Sequence, residues 1–473
     1  MSHEQNCPHM RRCGGCQLLH LPYPQQLAEK QKTTQRLLGG LGPVLPILGM
    51  EHPFHYRCKV QAAFAKGPRG TVVSGTYEAG THRLVPVEHC LLEDEEADAI
   101  LATVRALAGR LHVPPFDDRT GQGVLRHVLI RRSAATGQVM VVLVTGTPFF
   151  PGSRQFVREL RARHPQIATV VQNVNGRYTS MVLGGQEKVL FGSGFIEDAL
   201  CGCRFRISAR SFYQVNPVQA RRLYETAIEY AALTGRETVL DAYCGTGTIG
   251  LIAARDAAQV LGVELNRDAV RDAAANARRN HIENARFLCG DAGEVMQRLA
   301  AEGQPVDVVL MDPPRAGASL PFLDSLLHLA PRRVVYVSCD PQTQRRDLLY
   351  LGGRYRLEKV QPVDMFPHTG HIETVCLLTK LKVDKHIEVD LDLGELDVTA
   401  AESKATYDEI KAYVLEQFGL KVSSLYISQV KRKCGLEVGQ SYNPPKSDTS
   451  RQPQCPPEKE TAVRAALEHF GMI

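Results

Sequence analysis

The amino-acid sequence predicts an α/β fold whose second half is a doubly wound parallel sheet, and three observations lead to this prediction. Strand and helix patterns alternate from about Phe212 onward, which is typical of a parallel sheet. A glycine-rich turn joins the first of these strands to its helix. The preceding residues differ, because a cysteine cluster is followed by strand-rich segments broken by glycine and proline. We therefore expect four regions, residues 1–48, 49–205, 206–382 and 383–473.

The composition excludes several classes of protein. The chain has 473 residues, of which 44% are hydrophobic and 23% charged, and its length suggests more than one core. No apolar run approaches the roughly 20 residues that span a bilayer, and the N-terminus lacks a signal-peptide pattern. We therefore predict a cytoplasmic protein with no membrane association and no obligate protein partner. The net charge of +5 is compatible with a nucleic-acid partner.

Three cysteines lie within ten residues at the start of the first region. Cys7, Cys13 and Cys16 have the spacing C-x5-C-x2-C, and two glycines let the backbone turn tightly before the last of them. Thirteen cysteines in a chain predicted to be cytoplasmic favour metal ligands or catalytic thiols over disulfides. With Cys90 as the fourth ligand, favoured over His9, His20 and Cys58, this set predicts an iron–sulfur cluster. A zinc site is the alternative.

Another close pair of cysteines offers no comparable ligand set. The C-x-C spacing of Cys201 and Cys203 is expected to place both thiols on one face of a strand. It lacks the tight turn of a metal-binding knuckle.

Regular elements are predicted along the first two regions. An amphipathic helix is expected over residues 23–38, and a second helix over residues 153–163. Strand patterns occur at residues 56–64, 127–132 and 139–144. The second region is therefore predicted to be an α+β domain, with basic residues beside its strands.

The third region contains the parallel sheet. A helix is predicted over residues 269–280, and the last two strands are expected to form a hairpin. The predicted strands are residues 237–241, 259–264, 285–289, 306–311, 333–338, 355–363 and 371–380.

The glycine turn after the first of these strands indicates a nucleotide-like cofactor. Its glycines, Gly245, Gly247 and Gly250, permit a close approach of a ligand to the start of a helix, and they also satisfy the fingerprint for nicotinamide nucleotides. Glu264, at the end of the next strand, suits a ribose. The preceding Asp241 disfavours a diphosphate and favours a cationic ligand. S-adenosylmethionine, which has a sulfonium and no phosphate, is therefore the predicted cofactor.

Three further residues occupy strand ends in this sheet. Cys339 follows the fifth strand, at the edge where open α/β sheets carry their chemistry. Taken alone, such a cysteine is more often an inert buried residue. Asp312, in the run Asp-Pro-Pro-Arg, follows the fourth strand, and Glu373 begins the last one.

One reaction requires a cysteine, a base and a methyl donor together. Carbon 5 of uracil is a poor nucleophile, but a thiolate that adds to carbon 6 creates an enolate whose carbon 5 can attack a sulfonium methyl group. A base must then remove the carbon 5 proton before the thiol leaves. Cys339 and Glu373 are the candidate nucleophile and base.

At these residues the sequence closely resembles the bacterial RNA uracil-C5 methyltransferases, whose region of similarity extends over roughly residues 7–380. The segments that carry the resemblance are SFYQVN at 211–216, DAYCGTGTIG at 241–250, DPPRAG at 312–317, SCDP at 338–341 and HIETV at 371–375.

The resemblance implies a Rossmann-like, S-adenosylmethionine-dependent methyltransferase domain that acts on RNA. It implies a nucleophile at Cys339 and a proton acceptor at Glu373. Thr248 stands where many relatives have Asn, so its side-chain contact departs from the family pattern. The implied cofactor contacts are Gln214, Tyr243, Thr248, Glu264, Asp291 and Asp312.

The cysteine set resembles the [4Fe-4S] site of the branch that methylates 23S ribosomal RNA, which makes that RNA the expected substrate. The expected ligands are Cys7, Cys13, Cys16 and Cys90. Three alternatives stay open: a transfer RNA uracil-C5 methyltransferase, an RNA cytosine-C5 methyltransferase, and a redox or scaffold protein that binds RNA through its cluster.

The fourth region lies outside the resemblance. Helices are predicted near residues 407–418 and 424–434, followed by a linker at residues 442–457. The second helix ends in the basic run Lys431-Arg432-Lys433. This run motivates the hypothesis of a helical RNA-binding extension.

Overall fold

The computed structural model describes residues 7–78, 80–81, 83–177, 179, 181–381, 407–434 and 455–470. The chain divides into two compact units, residues 1–382 and 383–473. Of the predicted linker at 442–457, only residues 455–457 lie within the described ranges.

The first unit opens with two helices, α1 (Met10–Cys13) and α2 (Tyr23–Leu38). Helix α2 has the predicted bounds, and Pro24 is tolerated because the first turn needs no backbone donor. Its buried residues follow a four-residue spacing along one face: Gln26, Lys30, Thr34 and Leu38. Because three of these four side chains are polar, the face must find polar partners elsewhere in the fold.

A seven-stranded sheet and two helices form the centre of this unit. The elements are β1 (Lys59–Lys66), β2 (Val72–Tyr77), β3 (Leu84–Pro86), α3 (Glu95–Arg110), β4 (Leu125–Arg132), β5 (Val139–Thr145), α4 (Ser153–Arg163), β6 (Ile167–Val174) and β7 (Gln186–Phe191). The strand order is β3-β2-β1-β4-β5-β6-β7, with only β5 and β6 parallel. The three predicted strands and the helix at 153–163 are confirmed.

This sheet is buried on both faces because successive side chains of a strand point to opposite sides. In β5, Val141 and Leu143 pack into a core with α3 and α4. The alternate residues Val142 and Val144 enter a second core, which continues into the C-terminal half of the unit.

A hairpin of β8 (Phe195–Leu200) and β9 (Cys203–Ser208) follows. The prediction that Cys201 and Cys203 share one face of a strand is wrong. Cys201 and Gly202 form the two-residue turn, and both have positive φ, 49° and 79°. Such turns match the twist of the flanking strands, and a glycine at the second position makes this one accessible.

The second seven-stranded sheet confirms all seven predicted strands, with ends that differ by at most two residues. Its elements are α5 (Pro217–Ala231), β10 (Thr238–Ala242), α6 (Thr248–Ala253), β11 (Gln259–Glu264), α7 (Arg267–Arg279), β12 (Ala285–Cys289), α8 (Ala292–Ala301), β13 (Val308–Met311), α9 (Leu320–Leu329), β14 (Arg333–Ser338), α10 (Pro341–Leu351), β15 (Tyr355–Val363) and β16 (Glu373–Lys380).

The order of this sheet is β12-β11-β10-β13-β14-β16-β15, and only β16 runs against the others. Alternate residues enter cores on the two faces, for example Val239 on one side and Leu240 on the other. The strand order reverses between β10 and β13. The carboxyl ends of these two strands therefore bound the crevice in which open α/β sheets bind ligands.

The second unit contains α11 (Tyr407–Phe418), α12 (Ser424–Lys433) and α13 (Pro457–His469), which pack around a core of their own. The predicted helices at 407–418 and 424–434 are confirmed. In the basic run, Lys431 is only 5% exposed and Lys433 pairs with Glu460 at 2.5 Å. The run is therefore not a continuous free cationic patch, which weakens the hypothesis of an RNA-binding extension.

Among the helices that the structure describes, none combines the length and the apolar character needed to traverse a bilayer.

Candidate active site

Four strand ends lie along the edge of the second sheet that contains its switch point. Tyr243, Asp312 and Cys339 follow β10, β13 and β14, which are parallel and therefore end at the same edge. Glu373 begins β16, and since β16 is antiparallel, its first residue reaches that edge as well. The topology thus brings the predicted nucleophile, base and cofactor loop to one edge of the sheet.

The register of β14 and β16 places the predicted nucleophile and base opposite each other. The last pair of the ladder is Ser338 with Thr374. One residue further on each strand stand Cys339 and Glu373. Asp340 stabilises the turn after the cysteine, because its carboxylate caps α10 by accepting from the Gln342 N–H at 2.8 Å.

The charges around Cys339 oppose thiolate formation. Burial first, and then the carboxylates of Glu373 and Asp312, raise the pKa of the Cys339 thiol to about 11, while the Arg315 guanidinium acts in the opposite direction. The thiol is half-buried. In this state it is mostly protonated at neutral pH, so it must lose its proton for the sulfur to act as a nucleophile.

Glu373 has the environment of a strong carboxylate base. It is only 5% exposed. Burial, followed by repulsion from Asp312, raises the pKa of Glu373 well above its ordinary value, and Arg315 partly offsets this rise. A carboxylate with a raised pKa accepts a proton more readily than one in water.

A buried hydrogen-bond network supports the loops that carry these groups. The Thr374 hydroxyl donates to Gln344 Oε1 at 2.6 Å, and Gln344 Nε2 donates to the Tyr336 carbonyl at 3.1 Å. The Tyr336 hydroxyl donates to Asp347 at 2.6 Å, and the same carboxylate oxygen accepts the Ala318 N–H at 2.8 Å. The network joins β14, β16, α10 and the loop after β13 into one rigid frame.

The glycine turn lies over the carboxyl end of β10. Gly245 and Gly247 have φ of 54° and 81°, which favours glycine at both positions. Tyr243 has a φ of 65°, an unusual value for a residue with a side chain, and its ring packs 5.1 Å from that of Phe322. Glu264 stabilises the turn by accepting the Gly245 N–H at 3.1 Å. Glu264, which the sequence predicts to bind a ribose, therefore shapes the turn.

Asp241 has a structural role that the sequence did not indicate. Its carboxylate is 2% exposed and accepts the Gly250 N–H at 2.8 Å. Burial raises its pKa to about 7, although the bond from Gly250 lowers it. Asp241 thus braces the first turn of α6 against β10.

The remaining predicted cofactor residues lie on three separate elements of this half of the unit. Thr248 is the first residue of α6, and Asp291 caps α8 by accepting the Glu294 N–H at 3.1 Å. Gln214 lies in the segment before α5 and hydrogen-bonds the hydroxyl of Tyr224.

Two residues near the centre were not identified from the sequence. Arg315 is the fourth residue of the Asp-Pro-Pro-Arg run, and its position there was the available signal. Tyr224 is buried in α5, and Asp312 and Glu373 both raise its pKa. Nothing local to its helix indicates this placement, because it depends on how α5 packs against the sheet.

The four predicted cluster cysteines line one cavity of about 390 Å³, together with Arg57 and His89. Burial and the neighbouring thiols of Cys13 and Cys7 raise the pKa of Cys16 to about 11. Within the described ranges, no three His, Cys, Asp or Glu side chains converge closely enough to hold a single metal ion.

The fold and the site define a class. A doubly wound sheet with one antiparallel strand, a glycine turn at its switch point and an acid at the end of the next strand belongs to the S-adenosylmethionine-dependent methyltransferases.

Comparison with known proteins gives the family within that class. Residues 184–381 match the family described as tRNA (Uracil-5-)-methyltransferase. An uncharacterized RNA methyltransferase from Bacillus cereus is 41% identical over 385 residues, which is 80% of this chain and 84% of that protein. One from Halalkalibacterium halodurans is 43% identical over 381 residues, or 79% of this chain and 83% of its own. The chain belongs to the RNA uracil-5-methyltransferase family.

A solved structure agrees with this assignment. The Pyrococcus abyssi tRNA (uracil-54, C5)-methyltransferase in complex with S-adenosyl-L-homocysteine matches with a TM-score of 0.66 at 27% identity, covering 77% of this chain and 86% of that chain. The predicted methyl donor, S-adenosylmethionine, is thus supported by both fold and family.

The titration of Asp312 predicts a pH-dependent preference for the charged donor. Burial raises the pKa of Asp312 to about 7, so the group becomes a carboxylate as the pH rises through neutrality. If Asp312 contacts the methyl donor, as the resemblance implies, a sulfonium stabilises that carboxylate, and S-adenosylhomocysteine has none. The ratio of the Kd for S-adenosylhomocysteine to the Kd for S-adenosylmethionine should therefore rise roughly 3- to 10-fold between pH 6 and pH 8.

Calorimetric titration of both ligands at several pH values measures this ratio. Asp312→Asn is the control, since an amide keeps the shape and removes the titration. A ratio that stays constant in the wild type, or that still rises in Asp312→Asn, contradicts the assignment.

Proposed function

We propose that this protein methylates carbon 5 of a uridine in 23S ribosomal RNA through a covalent bond between Cys339 and carbon 6 of the base. The observation that carries the proposal is the opposition of Cys339 and Glu373 at the open end of β14 and β16. A thiol and a basic carboxylate at adjacent strand ends suit addition to one face of a pyrimidine and removal of a proton from the adjacent carbon.

The Cys339 thiol first loses its proton to solvent. The thiolate then forms a bond to carbon 6, and the electron pair of the carbon 5–carbon 6 double bond moves into an enolate. Carbon 5 then takes a methyl group from the donor, which departs as a neutral thioether. Glu373 accepts the carbon 5 proton, the double bond re-forms, and the carbon–sulfur bond breaks to release the Cys339 thiolate.

Two charged neighbours adjust the pKa values of Cys339 and Glu373. Arg315 lowers the pKa of both Cys339 and Glu373, so it stabilises negative charge at either group. Asp312 raises both pKa values and thereby keeps Glu373 basic. When bound, S-adenosylmethionine supplies an electrophilic methyl group. The residues proposed to hold it are Gln214, Tyr243, Thr248, Glu264, Asp291 and Asp312.

We further propose that Cys7, Cys13, Cys16 and Cys90 hold a [4Fe-4S] cluster. A cluster of several iron and sulfur atoms is larger than a single metal ion, so its ligands are spread around a larger volume. Four thiols around one cavity fit this arrangement. Zinc fits less well, because Cys13 and Cys16 form a single C-x2-C knuckle, whereas zinc sites made of four cysteines usually pair two. Reduced cysteines and an RNA substrate are consistent with the proposed cytoplasmic location.

Removal of one ligand tests the cluster. Cys16→Ser should lose most of the iron, the acid-labile sulfide and the visible absorbance of anaerobically purified protein, because a hydroxyl is a poor ligand for iron in such clusters. Cys201→Ser, which lies outside the cavity, should keep all three. Equal metal content in both variants, or zinc in place of iron and sulfide, contradicts the cluster.

The choice of RNA is tested with unmodified transcripts. Purified protein, S-adenosylmethionine and either 23S ribosomal RNA or transfer RNA are incubated, and 5-methyluridine is mapped by mass spectrometry. The proposal expects a kcat/KM at least about tenfold higher for 23S RNA. The reverse preference favours the transfer RNA alternative, for which the similarity to the Pyrococcus enzyme is the supporting observation. Methylation of cytosine contradicts both.

A further inference from the structure

The loop between β15 and β16 presents the proposed base. This base loop, residues 364–372, ends directly at Glu373. Within it, His368 has a φ of 67°. A residue with a side chain rarely adopts this left-handed conformation unless its surroundings hold it there. Only four residues separate His368 from Glu373, so its conformation sets the path of the chain into the base.

A single glutamine of α2 grips both the backbone and the side chain of His368. Gln26 Oε1 accepts the His368 N–H at 3.0 Å, and Gln26 Nε2 donates to His368 Nδ1 at 3.0 Å. Gln26 is fully buried and His368 is 1% exposed. The imidazole also stacks on Phe54, with ring centres 4.5 Å apart. The polar face of α2 thus finds its partner in the base loop.

The start of the base loop is anchored to the same helix. Lys30 pairs with Asp364 at 2.5 Å, with side chains that are 2% and 0% exposed, and Tyr23 donates to the same carboxylate at 2.8 Å. Lys30 also donates to the Phe366 carbonyl at 3.1 Å. Helix α2 therefore holds the loop at three points, Asp364, the Phe366 carbonyl and His368.

The segment that follows Cys16 completes the contact. The Leu18 N–H donates to the His368 carbonyl at 3.0 Å, and the Gly370 N–H donates to Gln17 Oε1 at 3.2 Å. Gln17 Nε2 in turn donates to the Gly14 carbonyl at 2.7 Å. A continuous chain of hydrogen bonds therefore runs from the cysteine segment to the base loop.

We propose that Gln26 is a positioning residue, which holds His368 in its left-handed conformation and so aims Glu373 at the reacting carbon. This inference rests on the proposed function. The nucleophile lies on β14 and is not carried by the loop. A loosened base loop should therefore slow proton removal while it leaves addition of Cys339 and methyl transfer intact.

The chain offers a matched control on the same helix. Gln31 has the same side chain, and it accepts the Ile47 N–H at 2.7 Å and donates to the Leu45 carbonyl at 3.2 Å, on the segment before β1 and not on the base loop itself. Gln26→Ala and Gln31→Ala remove equivalent groups from one helix. A difference between them therefore reports on the base loop rather than on the stability of α2.

Full-length Gln26→Ala should show a kcat on unmodified RNA roughly 10- to 100-fold below the wild type, with little change in KM. During turnover it should accumulate a denaturant-stable protein–RNA complex that already contains the transferred methyl group. S-adenosylmethionine affinity and the rate of trapping on 5-fluorouracil RNA should equal those of the wild type. Gln31→Ala should match the wild type in every assay.

A second variant covers the case in which Gln26→Ala does not fold. His368→Gly keeps the left-handed backbone accessible but removes the imidazole that Gln26 grips, so it should show the same accumulation of methylated complex. Wild-type turnover in a folded Gln26→Ala overturns the inference, and so does a parallel loss of cofactor binding, trapping and turnover. If the wild type itself forms no complex with 5-fluorouracil RNA, the proposed function fails first.

Discussion

Replacement of Cys339 by alanine is expected to reduce methyl transfer by at least ~10⁴-fold, because the proposed bond to carbon 6 can no longer form. Without that bond, carbon 5 stays a poor nucleophile, and an intact donor site cannot compensate. Transfer of a radiolabelled methyl group to RNA measures the loss. Cys339→Ser should be nearly as inactive, since a hydroxyl ionises far less readily than a thiol.

A trapping experiment separates a nucleophile from a merely structural thiol. With 5-fluorouracil RNA, the fluorine cannot leave as a proton, so the wild-type protein should stop as a methylated covalent complex that survives denaturing electrophoresis. Cys339→Ala should form none while it still binds S-adenosylmethionine. Cys289→Ala is a suitable control, because its exposed thiol also lies at a strand end of this sheet. Trapping by Cys339→Ala contradicts the mechanism.

Replacement of Glu373 by glutamine should allow addition and methyl transfer but stop the cycle at proton removal. The amide preserves the shape of the side chain but cannot accept the carbon 5 proton, so turnover should fall roughly 10²- to 10⁴-fold. The distinguishing result is a covalent complex on ordinary uracil RNA, which contains the new methyl group and decays slowly. Denaturing electrophoresis with labelled donor detects it.

Glu358→Gln is the control for this substitution. Glu358 lies in β15 of the same sheet and pairs with Arg356 at 2.6 Å, away from the reacting groups. It should retain wild-type turnover and form no stable complex with unmodified RNA. If Glu373→Gln turns over normally, another group removes the proton. If it fails even to trap 5-fluorouracil RNA, Glu373 acts before or during addition of the thiol.

Much of the second sheet could be predicted because its signals are local. Apolar β-branched runs such as residues 333–338 become buried strands, and the glycines at 245 and 247 mark a turn that needs positive φ. Cys339, Asp312 and Glu373 could be predicted as site residues because each stands at one end of such a run. Local pattern failed at Cys201, where a two-residue turn replaced an expected strand face, since spacing alone cannot distinguish a hairpin from a continuous strand.

By itself, the sequence determined the order of strands and helices and the side chains at the strand ends, because periodicity and turn chemistry operate over a few residues. Only the tertiary structure decided which of those side chains meet. The antiparallel pairing of β16 with β14 placed Glu373 opposite Cys339, and packing of α5 brought Tyr224 close to Asp312 and Glu373. The grip of Gln26 on His368 joins residues 342 positions apart. Such contacts depend on how whole elements pack, and no short stretch of sequence contains that information.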